Sequence, residues 1–204
     1  MMVNKIRPHL MACFTLLLSL LVVTSAQAQT TAYAVTSGNT LISFDVNAPG
    51  TPTTIGVIKN TVGNPLAAQI IAIDFRPLTG QLYGLGSDSA LYIIDTVTAS
   101  ASQLQPINPP TAFVGNAGFD FDPFADRIRV ITDSGQNLHI APDTSAVGTD
   151  LPLNGVAGAV VTGLAYTNNF ASPDRETLYG IDSAHGTLVR IGPANSTDGG
   201  TCSI

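Results

Sequence analysis

Ile70-Ile71-Ala72-Ile73-Asp74-Phe75-Arg76-Pro77, Gln81-Leu82-Tyr83-Gly84-Leu85-Gly86-Ser87-Asp88-Ser89 and Ala90-Leu91-Tyr92-Ile93-Ile94-Asp95 form the stretch whose reading decides the fold. It reads as three short strands. Pro77-Leu78-Thr79-Gly80 breaks the first from the second, and Gly86-Ser87-Asp88-Ser89 breaks the second from the third. Each apolar run is strand-length and each break carries turn residues.

The block recurs. A first strand (A) is Ala72 to Pro77, then Gly118 to Pro123, then Gly163 to Asn168, so that Asp74 and Asp120 stand 46 positions apart and Asp120 and Ala165 45 apart. A second (B) is Tyr33 to Val35, Leu82 to Leu85, Ile128 to Ile131 and Leu178 to Ile181. A third (C) is Leu41 to Phe44, Leu91 to Ile94, Leu138 to Ile140 and Leu188 to Ile191. A weaker fourth (D) is Thr53 to Ile58, Ser102 to Ile107 and Val147 to Leu153. Four strands per unit at a period in the middle forties is the pattern of propeller blades. Gly and Pro recur too often for a helix of ordinary length, and the apolar spacing is two rather than 3.6. The expected fold class is all-β, with β-propeller-type repeats of four-stranded blades in an incomplete or open propeller.

Several of these runs carry a family resemblance. Ile73-Asp74-Phe75-Arg76-Pro77-x-Thr79-Gly80-Gln81-Leu82-Tyr83 and Asp126-Arg127-Ile128-Arg129-Val130-x-x-Asp133-x-Gly135-Gln136-Asn137-Leu138 resemble the domain of unknown function 4394 family, as do Pro142-Asp143-Thr144, Ala165 to Phe170 and Thr177 to Asp182. The resemblance spans Ala32 to Gly192. It implies an exported propeller-like domain with no assigned activity, and it brings no catalytic residues. More distantly, the A–B–C pattern is similar to the blades of lactonase-type and YVTN-type propellers. Against the family pattern, the first unit begins at strand B. The fourth loses register after Ile191, so no D strand is expected there, and the chain reads as truncated at its C-terminus.

Residues 1–28 read as a cleaved signal peptide: Lys5 and Arg7 form a basic start, Leu10 to Val23 an apolar run, and Ala26-Gln27-Ala28 a small-x-small cleavage site. The expected organisation is this leader, a repeat domain over 29–192 and an irregular tail over 193–204. The expected destination is secreted or periplasmic. Without the leader, 6 basic residues face 14 acidic ones and Lys59 is the single lysine. Nucleic acid and an anionic membrane surface are therefore excluded as partners, since both need clustered cations. Cys202 is then the one cysteine, which leaves no internal disulfide and no Cys-based zinc site.

The acidic residues are 13 Asp and one Glu, Glu176. Asp45, Asp95 and Asp143 follow strand C and are expected to cap turns; Asp88, Asp133 and Asp182 sit in the B–C turns with the same expectation. Asp74 and Arg76, and Asp120 and Asp122, alternate with apolar neighbours along strand A, so each pair lies on one face, suited to pairing between blades or to a ligand. Asp120-x-Asp122-x-x-x-Asp126 lacks the glycine and terminal Glu of an EF-hand loop. No metal and no cofactor are expected.

Arg127 and Arg129 break the repeat, standing where the other units carry Gln or Thr and Tyr. A guanidinium fork suits a carboxylate or phosphate. The candidate ligand-binding set is Arg127, Arg129, Asp133, Gln136, Asn137, Asp74 and Asp120. The competing expectation pairs Arg127 and Arg129 with Asp74 or Asp120 between blades. His139 and His185 are the only histidines beyond the leader, and no nucleophile, zinc or phosphate-loop motif is present. Asn195-Ser196-Thr197 matches a glycosylation sequon that a chance match explains.

The sequence thus points to an exported binding or scaffold module for an extracytoplasmic ligand or protein. The alternatives are a metal-dependent, lactonase-like propeller hydrolase and a truncated, non-functional copy of a longer relative. Self-association is expected through the outer faces of the end blades, carrying Val35, Leu41, Ile42, Phe44, Leu178, Tyr179, Ile181 and Leu188.

Overall fold

The computed structural model describes residues 30–108, 111–113 and 115–193, with the backbone of 202–203. The expected leader and the sequon lie outside the described residues. Every regular element among them is a strand.

Four antiparallel meanders follow one another. Blade 1 is β1 (Thr31–Val35), β2 (Thr40–Asp45) and β3 (Thr53–Val57); the short β4 (Lys59–Asn60) then leaves it. Blade 2 is β5 (Ile70–Phe75), β6 (Leu82–Gly86), β7 (Leu91–Ile94) and β8 (Ser100–Gln103). Blade 3 is β9 (Ala117–Asp122), β10 (Arg127–Thr132), β11 (Asn137–Ile140) and β12 (Val147–Thr149). Blade 4 is β13 (Val161–Tyr166), β14 (Leu178–Asp182), β15 (Thr187–Ile191) and β16 (Cys202–Ser203). The expectation that nothing after Ile191 supplies a fourth strand is corrected here. Cys202 and Ser203 pair with Ile191 and Arg190 and close the outer edge of blade 4.

The turns explain why the hairpins repeat. Each B–C turn needs one residue in the left-handed region just before strand C. Asn39, Ser89, Gly135 and Gly186 fill that position with φ of 56, 59, 89 and 65°. Glycine takes such angles freely, and Asn tolerates them better than most residues do. Straps tie the blades together: β4 adds in parallel to the outer edge of blade 2 through Lys59 and Ser100, and Asn108 bridges Ala146 of blade 3 in the same way.

Cross-strand register sorts each blade into two faces. Leu82, Tyr92 and Ile94 of blade 2 look back to blade 1, while Tyr83, Leu85 and Leu91 look forward to blade 3. Ile128, Val130, Leu138 and Ile140 of blade 3 complete that second cluster. Ile131 reaches forward to Val161, Tyr166, Leu178, Val189 and Ile191 of blade 4. One apolar layer therefore fills each gap between successive blades, and each buried Leu or Ile in it contributes about 1.5–3 kcal/mol.

The inner strands pack in chain order, β1 on β5, β5 on β9 and β9 on β13, and the two ends of that series make no comparable packing with each other. The described chain is thus an all-β open arc of propeller-type blades. The list of outward apolar residues needs correction: Leu41 and Leu178 are buried in the gaps, and Val35 packs on the first cluster. Ile42, Phe44, Tyr179, Ile181 and Leu188 remain on the outer faces.

Candidate functional site

The three gaps repeat one contact, and the third changes its chemistry. Tyr33 of β1 meets Phe75 of β5 edge-on at 5.4 Å between ring centroids, and Tyr83 of β6 meets Phe121 of β9 at 5.0 Å. The equivalent pair in the third gap is Arg129 and Tyr166, where Nε of Arg129 donates to the tyrosine hydroxyl at 3.4 Å. A guanidinium replaces a ring, so partners must be found for its remaining donors.

Those partners lie beside the row that register lays across blade 3. Asp120, Arg129, His139 and Gly148 are consecutive cross-strand neighbours on β9, β10, β11 and β12, and Asp122 pairs with Arg127 one step along the same face. Nη1 of Arg129 donates to Asn137 Oδ1 at 3.2 Å and to the carboxylate of Asp150. His139 Nδ1 lies 2.9 Å from that same carboxylate. Asp150 therefore holds the guanidinium and the imidazole together. Gly148 makes room for the ring, because a Cβ there would lie 2.2 Å from Nε2 of His139.

Beside this row lies a cleft of about 270 Å³ lined by Asp122, Ala125, Arg127, Ile128, Arg129 and His139. Arg129 forms its floor at 2% exposure, His139 is half-buried, and Arg127 stands exposed at the mouth. Among the described residues Arg127 makes no ion pair. Burial pushes the Asp122 carboxyl above its ordinary value, against the pull of the Ala125 and Phe124 N–H groups and of Arg129. The set can hold an anionic group through Arg127. No Ser, Thr or Cys is among the lining residues.

The other sequence-predicted residues lie elsewhere. Asp74 Oδ2 accepts the Phe121 N–H at 2.8 Å and Asp120 Oδ2 accepts the Tyr166 N–H at 2.7 Å. Each carboxyl thus ties its own inner strand to the next. Burial, with the charge of Asp74 second, pushes the Asp120 carboxyl up to about 8. Asp133 and Gln136 sit in the B–C turn at the far end of β10. There Asp133 accepts Asn116 N–H groups at 3.0 Å, and Gln136 donates to the Ala112 carbonyl at 2.9 Å. Asn137 also donates to the Leu151 carbonyl at 2.8 Å. Arg129 pairs with Asp150 and Tyr166.

Like Asp133, Asp143 departs from the expected turn capping. With Asp126 it grips Arg76, whose Nε donates to Asp126 at 2.8 Å and whose Nη1 donates to Asp143 at 2.6 Å. This second clasp joins blade 2 to two turns of blade 3. Sequence reasoning left His139 unassigned, although the Asp133-Ser134-Gly135 turn places it opposite Arg129 by hairpin register. Asp150 carried no local signal.

A family model described as "Domain of unknown function (DUF4394)" matches residues 24–202, and the chain belongs to that family. Similar solved structures include "YCF48 bound to D1 peptide", at 16% identity and a TM-score of 0.45, over 87% of this chain and 50% of that one. They also include "YCF48 from Cyanidioschyzon merolae", at 13% identity and a TM-score of 0.41, over 85% of this chain and 54% of that one. The chain spans about half the length of these two structures. No curated protein matches it.

Proposed function

We propose that this family member works outside the cytoplasm as a binding module and that the blade 3 cleft takes an anionic group, a carboxylate of a ligand or protein. The observation that carries the reading is Arg127: an exposed guanidinium that makes no ion pair among the described residues, beside a cleft whose second guanidinium and imidazole are already oriented by Asp150. A planar fork with free donors is suited to bidentate capture of a carboxylate. The export half of the proposal rests on the leader-like residues 1–28. A hydrolase using aspartates as metal ligands has less support, because Asp74, Asp120 and Asp126 are each taken up by an N–H group or a guanidinium.

The test is an NMR titration with triglutamate, following the Arg127 Nε–H and the His139 ring. Both signals should move saturably, inorganic phosphate should compete, and Arg127→Gln should remove the response while leaving the melting temperature unchanged. No movement of Arg127, or the same response in Arg127→Gln, overturns the reading.

A further inference from the structure

Two aromatic side chains among the described residues are exposed, Phe124 at 48% and Phe170 at 60%. Both stand on turns between strands A and B, and both turns adjoin the blade 3 cleft. The Phe124 N–H donates at 2.9 Å to Oδ1 of Asp122, a carboxyl of the cleft wall. The N–H of Ala125, which also lines the cleft, donates to the same oxygen at 2.8 Å. That turn fixes the backbone under the ring and leaves the ring in solvent. Phe170 lies on the loop that follows Tyr166, whose hydroxyl accepts from Arg129 on the cleft floor. This loop runs over residues 167–177, against 76–81 and 123–126 at the same place in blades 2 and 3. It is held at its base, where the Thr167 N–H donates to the Thr177 carbonyl at 3.0 Å and Asn168 Nδ2 donates to the Arg175 carbonyl at 2.7 Å.

The exposure belongs to this end of the arc and does not depend on what adjoins its last blade. Leu78 stands in blade 2 where Phe124 stands in blade 3, and it is 54% exposed. Blades 2 and 3 each have a blade on both sides, and their turn tips stay open all the same. Apolar side chains exposed singly need no explanation, whereas two rings flanking a cationic cleft mark a binding surface.

We infer that the partner of the cleft is a protein segment whose carboxylate has large apolar side chains next to it. Arg127 holds the carboxylate, and Phe124 and Phe170 cover its apolar neighbours. This rests on the reading that Arg127 captures a carboxylate, and it adds what stands beside that group. Charge favours an acidic segment: Arg127 makes no ion pair among the described residues, whereas nearby Asp126 is taken up by Arg76. A fatty acid, the other amphipathic carboxylate, needs an enclosed apolar channel, and the cleft offers it Ala125 and Ile128 alone. The rings stand on two different blades, where a peptide chain can lay one side chain on each.

The test compares two blocked peptides, acetyl-Leu-Glu-Leu-amide and acetyl-Gly-Glu-Gly-amide, by NMR titration of the Arg127 Nε–H. The leucine peptide should bind the wild type about tenfold tighter, the effect of partly burying two leucines. Phe124→Ser and Phe170→Ser should each shrink that ratio, and Phe124→Leu and Phe170→Leu should restore most of it. Equal affinities for the two peptides would overturn this inference and leave the carboxylate reading standing. No response of Arg127 to either peptide would overturn both. A ratio that survives both serine variants, or decanoate binding tighter than the leucine peptide, also overturns the inference, the latter in favour of a lipid.

Discussion

Arg129 donates to the hydroxyl of Tyr166 at the place where the two preceding gaps hold an aromatic pair. That single change of chemistry creates both the polar cleft and a demand for buried charge balance, which Asp150 meets. The two arginines of the repeat-breaking run therefore have different work, one structural and one at the cleft mouth.

Arg129→Gln should lower unfolding stability by about 3 kcal/mol, because Asp150, itself mostly buried, is left without its guanidinium. Arg127→Gln should change stability by less than about 0.5 kcal/mol, as exposed substitutions do. Urea unfolding of the two variants side by side measures the difference. Equal losses would show that Arg127 is also structural.

The Asp120 carboxyl sets a pH dependence. Folding raises it from an ordinary 3.8 to about 8, through burial first and the charge of Asp74 second. Between those values the folded chain keeps a proton that the unfolded chain has released, so stability falls as pH rises across that window and levels off above it. Burial raises Asp74 as well, which acts in the same direction. Thermal melts should show a decline from about pH 5 to pH 8. Asp120→Asn should flatten that decline and melt higher than wild type at pH 8. A variant that melts lower than wild type at pH 8, with the decline intact, would refute the assignment.

The Arg76 clasp should be uneven. Asp143 is 73% exposed and Asp126 30%. Double-mutant cycles should give about 0–1 kcal/mol for the Arg76 and Asp143 pair, as for surface ion pairs, and should lose that coupling in high salt. The Arg76 and Asp126 coupling should be larger, about 1.5–3 kcal/mol, and less sensitive to salt, as expected for a charged hydrogen bond that is partly buried. Equal couplings would contradict the difference in burial.

Calcium should leave the melting temperature unchanged, since Asp120, Asp122 and Asp126 already accept N–H groups or a guanidinium. A ligand stabilises only through its affinity for the native state. A rise of many degrees at sub-millimolar calcium would show that these carboxylates rearrange around an ion.

The strands and turns were legible in the sequence because they are local. Period-two alternation marks Leu82 to Ile94, and the residue before strand C needs a left-handed angle that Asn39, Ser89, Gly135 and Gly186 each supply. Repetition then made the blade order legible, and hairpin register alone sets His139 opposite Arg129. The charge pairing was not legible. Asp150 meets Arg129 across 21 positions, and Asp143 meets Arg76 across 67, on loops whose approach depends on how successive sheets stack. The same holds for the strand at Cys202–Ser203, too short to carry an alternation of its own and assigned only by pairing with β15. Sequence determined what each blade is, since strand pairing follows from neighbouring residues. Tertiary structure decided which polar groups share a gap, since that depends on distances between blades that no local pattern encodes.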